Sequence, residues 1–357
     1  MKHWCRVRSL SQHPNLDSAT CHQQSRCARS LLLRSIMGVF THFVREAQFS
    51  WTFARHLFPG KPSWTADHLP DLSSKVFVVT GGNTGIGRGT VRGLLLKNAK
   101  VYIAARSKDR VEHAITELRE ETGREALFLQ LDLGDLSSVK KAAEEFKQRE
   151  SQLDGLILNA GVLYPSKDAL TAQGYDATIG VNVVGHFLLQ RLLYSLLSAS
   201  GRESDTSRVI WLSSIASYKP HSLTYETFRE GPERQHVDSI EMYAESKVAV
   251  VMLSTYLAKT CMEDNVSSIA VDPGNIKSEI YRSSPWYLKL WDWLYWYPVE
   301  YGAISSLYAG AASEGAACNG KYLRPWARVS RPSQFALDAK EQEKLWTWLE
   351  EQVKVYL

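Results

Sequence analysis

The chain has 357 residues, 44% hydrophobic and 22% charged, which is the composition of an ordinary globular protein. Its net charge of +4 is too small to indicate a nucleic-acid-binding protein. Its five cysteines form no CxxC pair, so no disulfide framework or metal site is predicted and a reducing, cytoplasmic setting is expected.

Residues 1–36 are rich in arginine and serine, and Asp17 is their one acidic residue. Organellar transit peptides have this composition. A disordered leader, or an over-extended gene model whose true start is Met37, also explains the composition, and we favour these two over a transit peptide. Organellar targeting stays open.

Residues 37–74 form an aromatic arm that includes Phe40, Phe43, Trp51 and Phe58 and ends near Pro59. Such an arm can pack on the main domain, reach a partner subunit in a homo-oligomer, or lie on a membrane surface as a peripheral contact. We predict that the arm packs on the main domain. No apolar run approaches the roughly 18 residues of a spanning helix.

The stretch 75–87 reads KVFVVTGGNTGIG. A short β-branched run predicts a strand buried on both faces, and a helical pattern follows the glycines. Glycines between a strand and a helix permit a tight turn and let a pyrophosphate approach the helix N-terminus. The spacing Thr80-Gly81-x-x-x-Gly85-x-Gly87 therefore predicts a nucleotide-phosphate site, although a plain loop remains an alternative.

The next predicted strand is 100–104, and Arg106 follows it closely. No acidic residue stands there to hold the ribose 2′-hydroxyl of NAD. A guanidinium suits a 2′-phosphate instead. We therefore expect NADP(H) rather than NAD(H), with a solvated arginine as the alternative.

Further strands are predicted at 126–131, 155–158, 208–212, 266–271 and 321–323, and helices at 86–97, 107–121, 135–149, 170–198, 240–260 and 299–311. This alternation predicts an α/β fold: a single Rossmann-type, doubly wound parallel sheet with helices on both faces. We assign the catalytic domain to residues 75–330 and a C-terminal helical extension to residues 331–357.

Polar residues follow several of these strands. Asp132 and Asn159 come directly after two of them, where ligands bind in doubly wound sheets. Ser213 and Ser214 follow the 208–212 strand. Tyr243 and Lys247 are four residues apart on the next predicted helix and so share a face, and Asn182 lies on the helix predicted before it.

With these residues in order, the chain resembles the short-chain dehydrogenase/reductase (SDR) family over about residues 73–323. The motifs that carry the resemblance are TGGNTGIG from Thr80, Asp132, NAG from Asn159, Asn182, Ser214, YAESK from Tyr243 and PGNIKS from Pro273. The motif NVVGHFLL from Asn182 and the long segment between Ser214 and Tyr243 are similar to the retinol-dehydrogenase-like branch and to its fungal members.

The resemblance implies four catalytic residues. Tyr243 would be the general acid or base, and the positive charge of Lys247 would favour its phenolate form. Ser214 would orient the substrate oxygen. Asn182 would hold a water that links Lys247 to solvent. Ser214 is preferred to Ser213 because it directly precedes Ile215-Ala216, as the catalytic serine does in related sequences.

The resemblance also implies a set of cofactor-binding residues that runs from the glycine turn to the segment after the 266–271 strand. They are Gly81, Asn83, Gly85, Ile86, Gly87, Arg106, Asp132, Asn159, Tyr243, Lys247, Pro273, Gly274, Ile276 and Ser278.

The segment from Tyr281 to Tyr301 is unusually rich in tryptophan and tyrosine and follows Pro273-Gly274, where the resembled family carries a substrate lid. Single rings are expected to pack against the core, but the segment as a whole favours a bulky lipophilic substrate. Terpenoid, steroid, retinoid-like and polyketide substrates all stay open.

The resulting hypothesis is an NADP-dependent oxidoreductase that interconverts an alcohol and a carbonyl, with a role in fungal secondary metabolism. The alternative is a non-catalytic nucleotide sensor or scaffold on the same fold. The complete set of Asn182, Ser214, Tyr243 and Lys247 argues against that alternative.

Overall fold

The structure is a computed structural model that describes residues 52, 54–56, 58–277 and 297–357. Residues 55–357 form one compact unit, and residues 1–54 are a separate unit. The predicted leader, the arm's aromatic residues up to Phe53, Ser278 and the aromatic segment through Trp296 lie outside the described residues. The boundaries proposed at residues 36, 74 and 330 remain predictions.

The centre of the compact unit is one mixed sheet. In the described residues its strands are β1 (Val76–Thr80), β2 (Lys100–Ala105), β3 (Leu127–Gln130), β4 (Gly155–Leu158), β5 (Ser207–Leu212), β6 (Val266–Val271), β7 (Tyr322–Arg324) and β8 (Arg328–Ser330). Their spatial order is β3-β2-β1-β4-β5-β6-β7-β8. All pairings are parallel except that of β7 with β8. The order reverses between β1 and β4, which is the crevice where doubly wound sheets bind ligands.

The helices cover both faces of the sheet. They are α1 (Gly85–Leu95), α2 (Lys108–Thr122), α3 (Leu136–Arg149), α4 (Ala177–Ile179), a π-helical segment (Gly180–Gly185), α5 (His186–Ser200), α6 (Ser239–Thr260), α7 (Val299–Ala311) and α8 (Ala339–Val353). Short 3-10 turns lie at Ala66–His68, Ile215–Tyr218, Tyr225–Thr227, Arg234–His236, Met262–Asp264, Ser313–Cys318, Phe335–Leu337 and Lys354–Tyr356.

Two apolar cores separate the layers. Helices α3, α5, α6 and α8 pack on one face through residues such as Phe187 and Leu345, and α1, α2 and α7 pack on the other through Val91 and Leu307. Every residue of β1, β4, β5 and β6 is buried, as their apolar sequences predict for strands covered on both sides. The predicted fold class is confirmed.

The helix predicted over 170–198 is wrong at its start. Leu170 and Asp176 form an isolated bridge, and Gly174 lies between them with a φ of +75°. A residue with that φ interrupts a right-handed helix, and glycine adopts it without a steric penalty. The helix begins only after Asp176, whose side chain accepts the N–H of Thr178 as an N-cap.

The described part of the arm packs on the sheet's second core, as expected. Trp64, Leu69 and Leu72 are buried there, and the ring of Trp64 meets Tyr308 of α7 edge-on at 5.4 Å. Two rings of the aromatic segment that the structure describes, Tyr297 and Tyr301, both pack on Trp326. None of the described helices combines the length and the apolar character needed to cross a bilayer.

Candidate active site

A cavity of about 660 Å³ opens at the carboxyl ends of the parallel strands. Most of the predicted site residues share its wall. They are Gly81, Gly85, Ile86, Arg106, Asp132, Asn159, Ser214, Tyr243, Lys247, Pro273, Gly274 and Ile276. Residues far apart in the sequence meet here because parallel strands all end at one edge of the sheet.

The glycine turn connects β1 to the N-terminus of α1. Gly81 has a φ of +64° and Gly85 a φ of +51°, in the left-handed region that favours glycine. Gly87 is buried beneath the turn, where a Cβ would overlap the carbonyl oxygen of Gly81 and lie 2.5 Å from Nδ2 of Asn159. The glycines leave these positions of the turn without side chains, and Gly85 and Ile86 at the N-terminus of α1 line the cavity. An anion site requires both features.

The turn is held from below by Asn159 and Thr80. The Asn159 side chain donates to the backbone oxygen of Thr80 at 2.8 Å, and the Thr80 hydroxyl oxygen accepts the N–H groups of Asn159 and Ala160. Asn159 therefore joins β4 to the turn after β1, in addition to lining the cavity.

His186 completes this network and was not among the predicted site residues. Its Nδ1 lies 3.2 Å from the backbone oxygen of Asn182 and its Nε2 lies 2.9 Å from the Thr80 hydroxyl. A carbonyl can only accept, so Nδ1 carries the proton and Nε2 accepts from Thr80. Burial lowers the pKa of His186 to about 3, which keeps the ring neutral. Its position four residues after Asn182 on a helix was the available signal.

One end of the cavity is formed by Arg106 and Asp132. Arg106 follows β2 and is exposed, and the described residues include no carboxylate that pairs with its guanidinium. Asp132 turns its carboxylate to its own loop, where Oδ1 accepts the N–H of Gly134 at 2.9 Å. This end thus presents a guanidinium that forms no ion pair with a described carboxylate, although Asp132 and Asp135 line the same cavity.

The other end contains Lys247, which is 4% exposed. Its Nζ donates to the backbone oxygen of Leu212 at 2.9 Å and lies 5.4 Å from the ring centroid of Tyr243. Burial lowers the pKa of Lys247 to about 8, and the charge of Asp272 partly opposes this shift. An ammonium group with donors to spare is therefore held beside the phenol.

The two serines after β5 differ in their hydrogen bonds. The Ser213 hydroxyl is buried and donates to the backbone oxygen of Lys247 at 2.9 Å. The Ser214 hydroxyl oxygen accepts the N–H of Ala216 at 3.3 Å, which leaves its hydrogen available for donation. Ser214 is therefore the serine whose hydroxyl can serve a ligand in the cavity.

Asn182 lies beneath the cavity and does not line it. Within the π-helical segment it is 1% exposed; its Oδ1 accepts the N–H of Val162, and its Nδ2 donates to the Val162 carbonyl and the Ser246 hydroxyl. Ser246 in turn donates to the backbone oxygen of Tyr243 at 2.7 Å. Asn182 thus ties the loop after β4 to the helix that carries Tyr243.

The structure places two other predicted residues, Asn83 and Gly87, outside the cavity wall. Asn83 borders a neighbouring surface pocket with Arg88 and Arg110, and Gly87 is buried beneath the turn. Ser278 lies outside the described residues. The described residues also contain no group of His, Cys, Asp or Glu side chains that could hold a metal ion.

The arrangement fits an extended dinucleotide. A single cavity joins an open glycine turn at a helix N-terminus, the unpaired Arg106 and the buried ammonium of Lys247. These groups can bind phosphates and sugar hydroxyls along one continuous surface. A cofactor bound at the turn would share the cavity with Tyr243 and Ser214.

Comparison with known proteins agrees with this geometry. The family model for short chain dehydrogenases matches residues 75–226. A short-chain dehydrogenase/reductase of Armillaria gallica is 42% identical over 86% of this chain and 99% of its own length. Mouse retinol dehydrogenase 12 is 34% identical over 87% of this chain and 95% of its own. The RhlG/NADP complex of Pseudomonas aeruginosa shares the fold at 24% identity, with a TM-score of 0.58 over 71% of this chain and 94% of that one.

These matches include fungal relatives and a retinol dehydrogenase, so they confirm the resemblance on which the site residues were predicted. The family's enzymes use a nicotinamide cofactor for their redox chemistry. The chain therefore belongs to the short-chain dehydrogenase/reductase family of NAD(P)-dependent oxidoreductases.

Proposed function

We propose that this oxidoreductase uses NADP(H) to interconvert an alcohol and a carbonyl on an uncharged, lipophilic substrate. One observation carries the proposal: Ser214, Tyr243 and Lys247 line the same cavity as the glycine turn. A non-catalytic scaffold has no need for a phenol and an ammonium group side by side in its nucleotide cavity.

NADPH held by the glycine turn, Arg106 and Lys247 would supply the hydride for reduction of a carbonyl carbon. The Ser214 hydroxyl donates a hydrogen bond to the carbonyl oxygen and fixes its position. Tyr243 gives its phenolic proton to that oxygen, and in the reverse direction it accepts the proton as phenolate.

Lys247 supports this proton transfer. Its ammonium, 5.4 Å from the Tyr243 ring, stabilises the phenolate by charge and can donate to a ribose hydroxyl of the cofactor. Asn182 acts through its bonds to Val162 and Ser246, which fix the helix under Tyr243. We also propose that Asn182 holds a water that would connect Lys247 with solvent.

The preference for NADP(H) rests on Arg106. Its guanidinium lines the cavity, and no described carboxylate neutralises it. A 2′-phosphate would supply the missing negative charge, whereas NAD would leave the cation unpaired. The structurally similar RhlG protein was solved with NADP.

The lipophilic substrate class is inferred from the walls near Tyr243. Val162, Leu163, Pro165 and Leu212 are apolar lining residues, and Lys247 is the charged lining residue at this end of the described cavity. No described arginine stands there to hold a substrate carboxylate. A bulky alcohol or ketone therefore fits better than a charged metabolite. A role in fungal secondary metabolism is part of this proposal, and the relatives from Armillaria gallica and Neocamarosporium betae are fungal.

The proposed setting is the cytoplasm, with a peripheral membrane contact through the arm or the aromatic segment as an addition to test. Co-sedimentation with liposomes, compared between the intact chain and a chain starting at Ser73, separates attachment by the arm from attachment by the rest.

The catalytic proposal is tested by turnover against a panel of lipophilic alcohols and ketones, read by NADPH absorbance. Tyr243→Phe keeps the ring and removes the transferable proton, so we expect turnover to fall by roughly 10²–10⁴-fold. NADPH affinity should change little. A Tyr243→Phe variant with near-normal turnover would exclude this mechanism.

A further inference from the structure

A buried contact between an imidazole and a carboxylate links the arm to the far side of the cavity. His56, in the arm, is 4% exposed, and its Nε2 lies 3.3 Å from Oδ2 of Asp272. The ring of Tyr218 packs edge-on against the imidazole at 5.7 Å. The sequence offers no local reason for this contact, since the two residues are more than 200 positions apart.

Asp272 sits where β6 leads into the cavity. It directly follows Val271, the last residue of β6, and directly precedes Pro273 and Gly274, both of which line the cavity. Its Oδ1 accepts the N–H of Gly274 at 2.9 Å. One carboxylate oxygen therefore shapes the Pro273-Gly274 turn, and the other meets His56.

Because Asp272 is buried, its carboxylate depends on the few groups that face it. Its carboxylate is 2% exposed and is faced by Lys247 from α6 and by Tyr322 from β7. Burial raises the pKa of the Asp272 carboxyl, and the charges of His56 and Lys247 oppose that rise. A buried carboxylate that loses one partner is strongly destabilised, and the backbone it braces is free to shift.

A second contact between the arm and the turn is independent of His56. The Trp326 indole donates to the backbone oxygen of Gly60 at 2.9 Å, and Arg328 donates to that of Lys61 at 2.7 Å. Trp326 backs the turn so closely that a Cβ on Gly274 would lie 3.1 Å from its ring. The arm thus supports the Pro273-Gly274 turn at two points.

We propose that His56 is a positioning residue of the cofactor site, which fixes the Pro273-Gly274 turn through Asp272. The arm is then a part of the nicotinamide-side wall, opposite the Arg106 end of the cavity. This inference rests on the proposed function only in taking a nicotinamide dinucleotide as the ligand.

The test compares two ligands in equilibrium binding to the full chain. NADP(H) reaches both ends of the cavity, whereas 2′,5′-ADP carries only the adenine half and its phosphates. His56→Phe keeps a ring against Tyr218 and removes the partner of Asp272, and His56→Ala removes both. His68→Ala is the matched control, because His68 is an exposed histidine of the same arm.

We expect either His56 variant to bind NADP(H) roughly tenfold more weakly, because the buried carboxylate that braces the turn loses one of its partners. The affinity for 2′,5′-ADP and both affinities of His68→Ala should stay within about twofold of wild type, since sites without shared partners act independently. Adding Asp272→Asn to His56→Phe removes the charge of the Asp272 carboxylate and keeps an oxygen that accepts the N–H of Gly274. It should recover most of the lost affinity.

Three outcomes would overturn the inference. They are NADP(H) affinity of folded His56→Phe within twofold of wild type, an equal loss for 2′,5′-ADP, and no recovery in the double variant. The equal loss would mean that His56 only maintains the fold. If wild type binds no nicotinamide nucleotide at all, the proposed function fails, and that result is distinct from a wild type that binds and a variant that is unaffected.

Discussion

The ammonium of Lys247 donates to the backbone oxygen of Leu212 at 2.9 Å while it lies 5.4 Å from the ring of Tyr243. This bond holds a buried cation at the end of β5. Burial opposes its charge and lowers its pKa from 10.5 to about 8. Function therefore requires the group in the form that folding disfavours, which is a common conflict between activity and stability.

The first prediction follows from that conflict. Lys247→Met should abolish turnover, because it removes the ammonium beside Tyr243. It should also remove the pH dependence of stability that the lowered pKa of Lys247 gives to the wild type. Urea unfolding of the two proteins measures the difference.

The pH dependence gives this prediction its control. Between pH of about 8 and 10.5 the unfolded chain still binds the proton that folded Lys247 has released, so this residue makes wild-type stability rise with pH. The methionine variant lacks that contribution. The free energy of unfolding of the wild type minus that of the variant should be constant below about pH 8 and should rise between about pH 8 and 10.5. A difference that does not change over this range would contradict the argument.

The second prediction concerns Gly87, which is buried beneath the glycine turn. Gly87→Ala would push a Cβ against the Gly81 carbonyl, which is backbone and cannot rotate away. We expect NADPH to bind at least roughly tenfold more weakly, because overpacking shifts backbone at a cost of about 1–3 kcal/mol. NADPH fluorescence titration measures this.

Gly89→Ala is the matched control on the same helix. Its Cβ would lie 3.2 Å from Cγ1 of Val299, a side-chain atom that can move. The affinity of this variant should stay close to wild type. Equal losses in both variants would show that any added methyl on α1 disturbs binding and that the turn is not special.

The glycine turn also marks what the sequence could predict. The glycine turn, the strand–helix alternation, and Tyr243 four residues before Lys247 are local patterns. The structure brings Gly81 and Gly85 of the turn to the same cavity as Tyr243 and Lys247. Local periodicity and turn chemistry are sufficient for such features.

The features that were missed depend on contacts between distant residues. The three-residue strand β8 has no periodicity to detect and exists because β7 pairs with it. His186 looks like one more residue of an apolar helix until Thr80 approaches its Nε2. The break before Asp176 was missed because Gly174 was treated as part of a helix, although its left-handed φ ends one.

The third prediction tests the cofactor preference. Arg106→Ala should weaken NADP(H) binding by roughly 10–100-fold, since a charge-assisted hydrogen bond is worth about 1.5–3 kcal/mol. NAD(H) binding should change by less than about threefold, because NAD has no 2′-phosphate to lose contact with. Calorimetry or fluorescence titration with both cofactors provides the measurement.

Arg119→Ala controls for the lost charge. Arg119 is 68% exposed on α2 and pairs loosely with Glu125 at 3.7 Å. It carries the same charge and does not line the cavity. If it weakened NADP(H) as much as Arg106→Ala does, the effect would be long-range electrostatics. If wild type preferred NAD(H), the assignment of Arg106 would be wrong.

The fourth prediction separates the neighbouring serines after β5. Ser214→Ala removes the hydroxyl that is available to the substrate oxygen, so we expect turnover to fall by about 10²-fold with cofactor affinity unchanged. Ser213→Ala breaks the bond to the Lys247 backbone instead and should reduce the free energy of unfolding by about 1 kcal/mol. Turnover and urea unfolding of each variant distinguish the roles. The reverse pattern, with Ser213→Ala inactive and Ser214→Ala active, would transfer the catalytic role to Ser213, because each variant removes one hydroxyl and leaves the other in place.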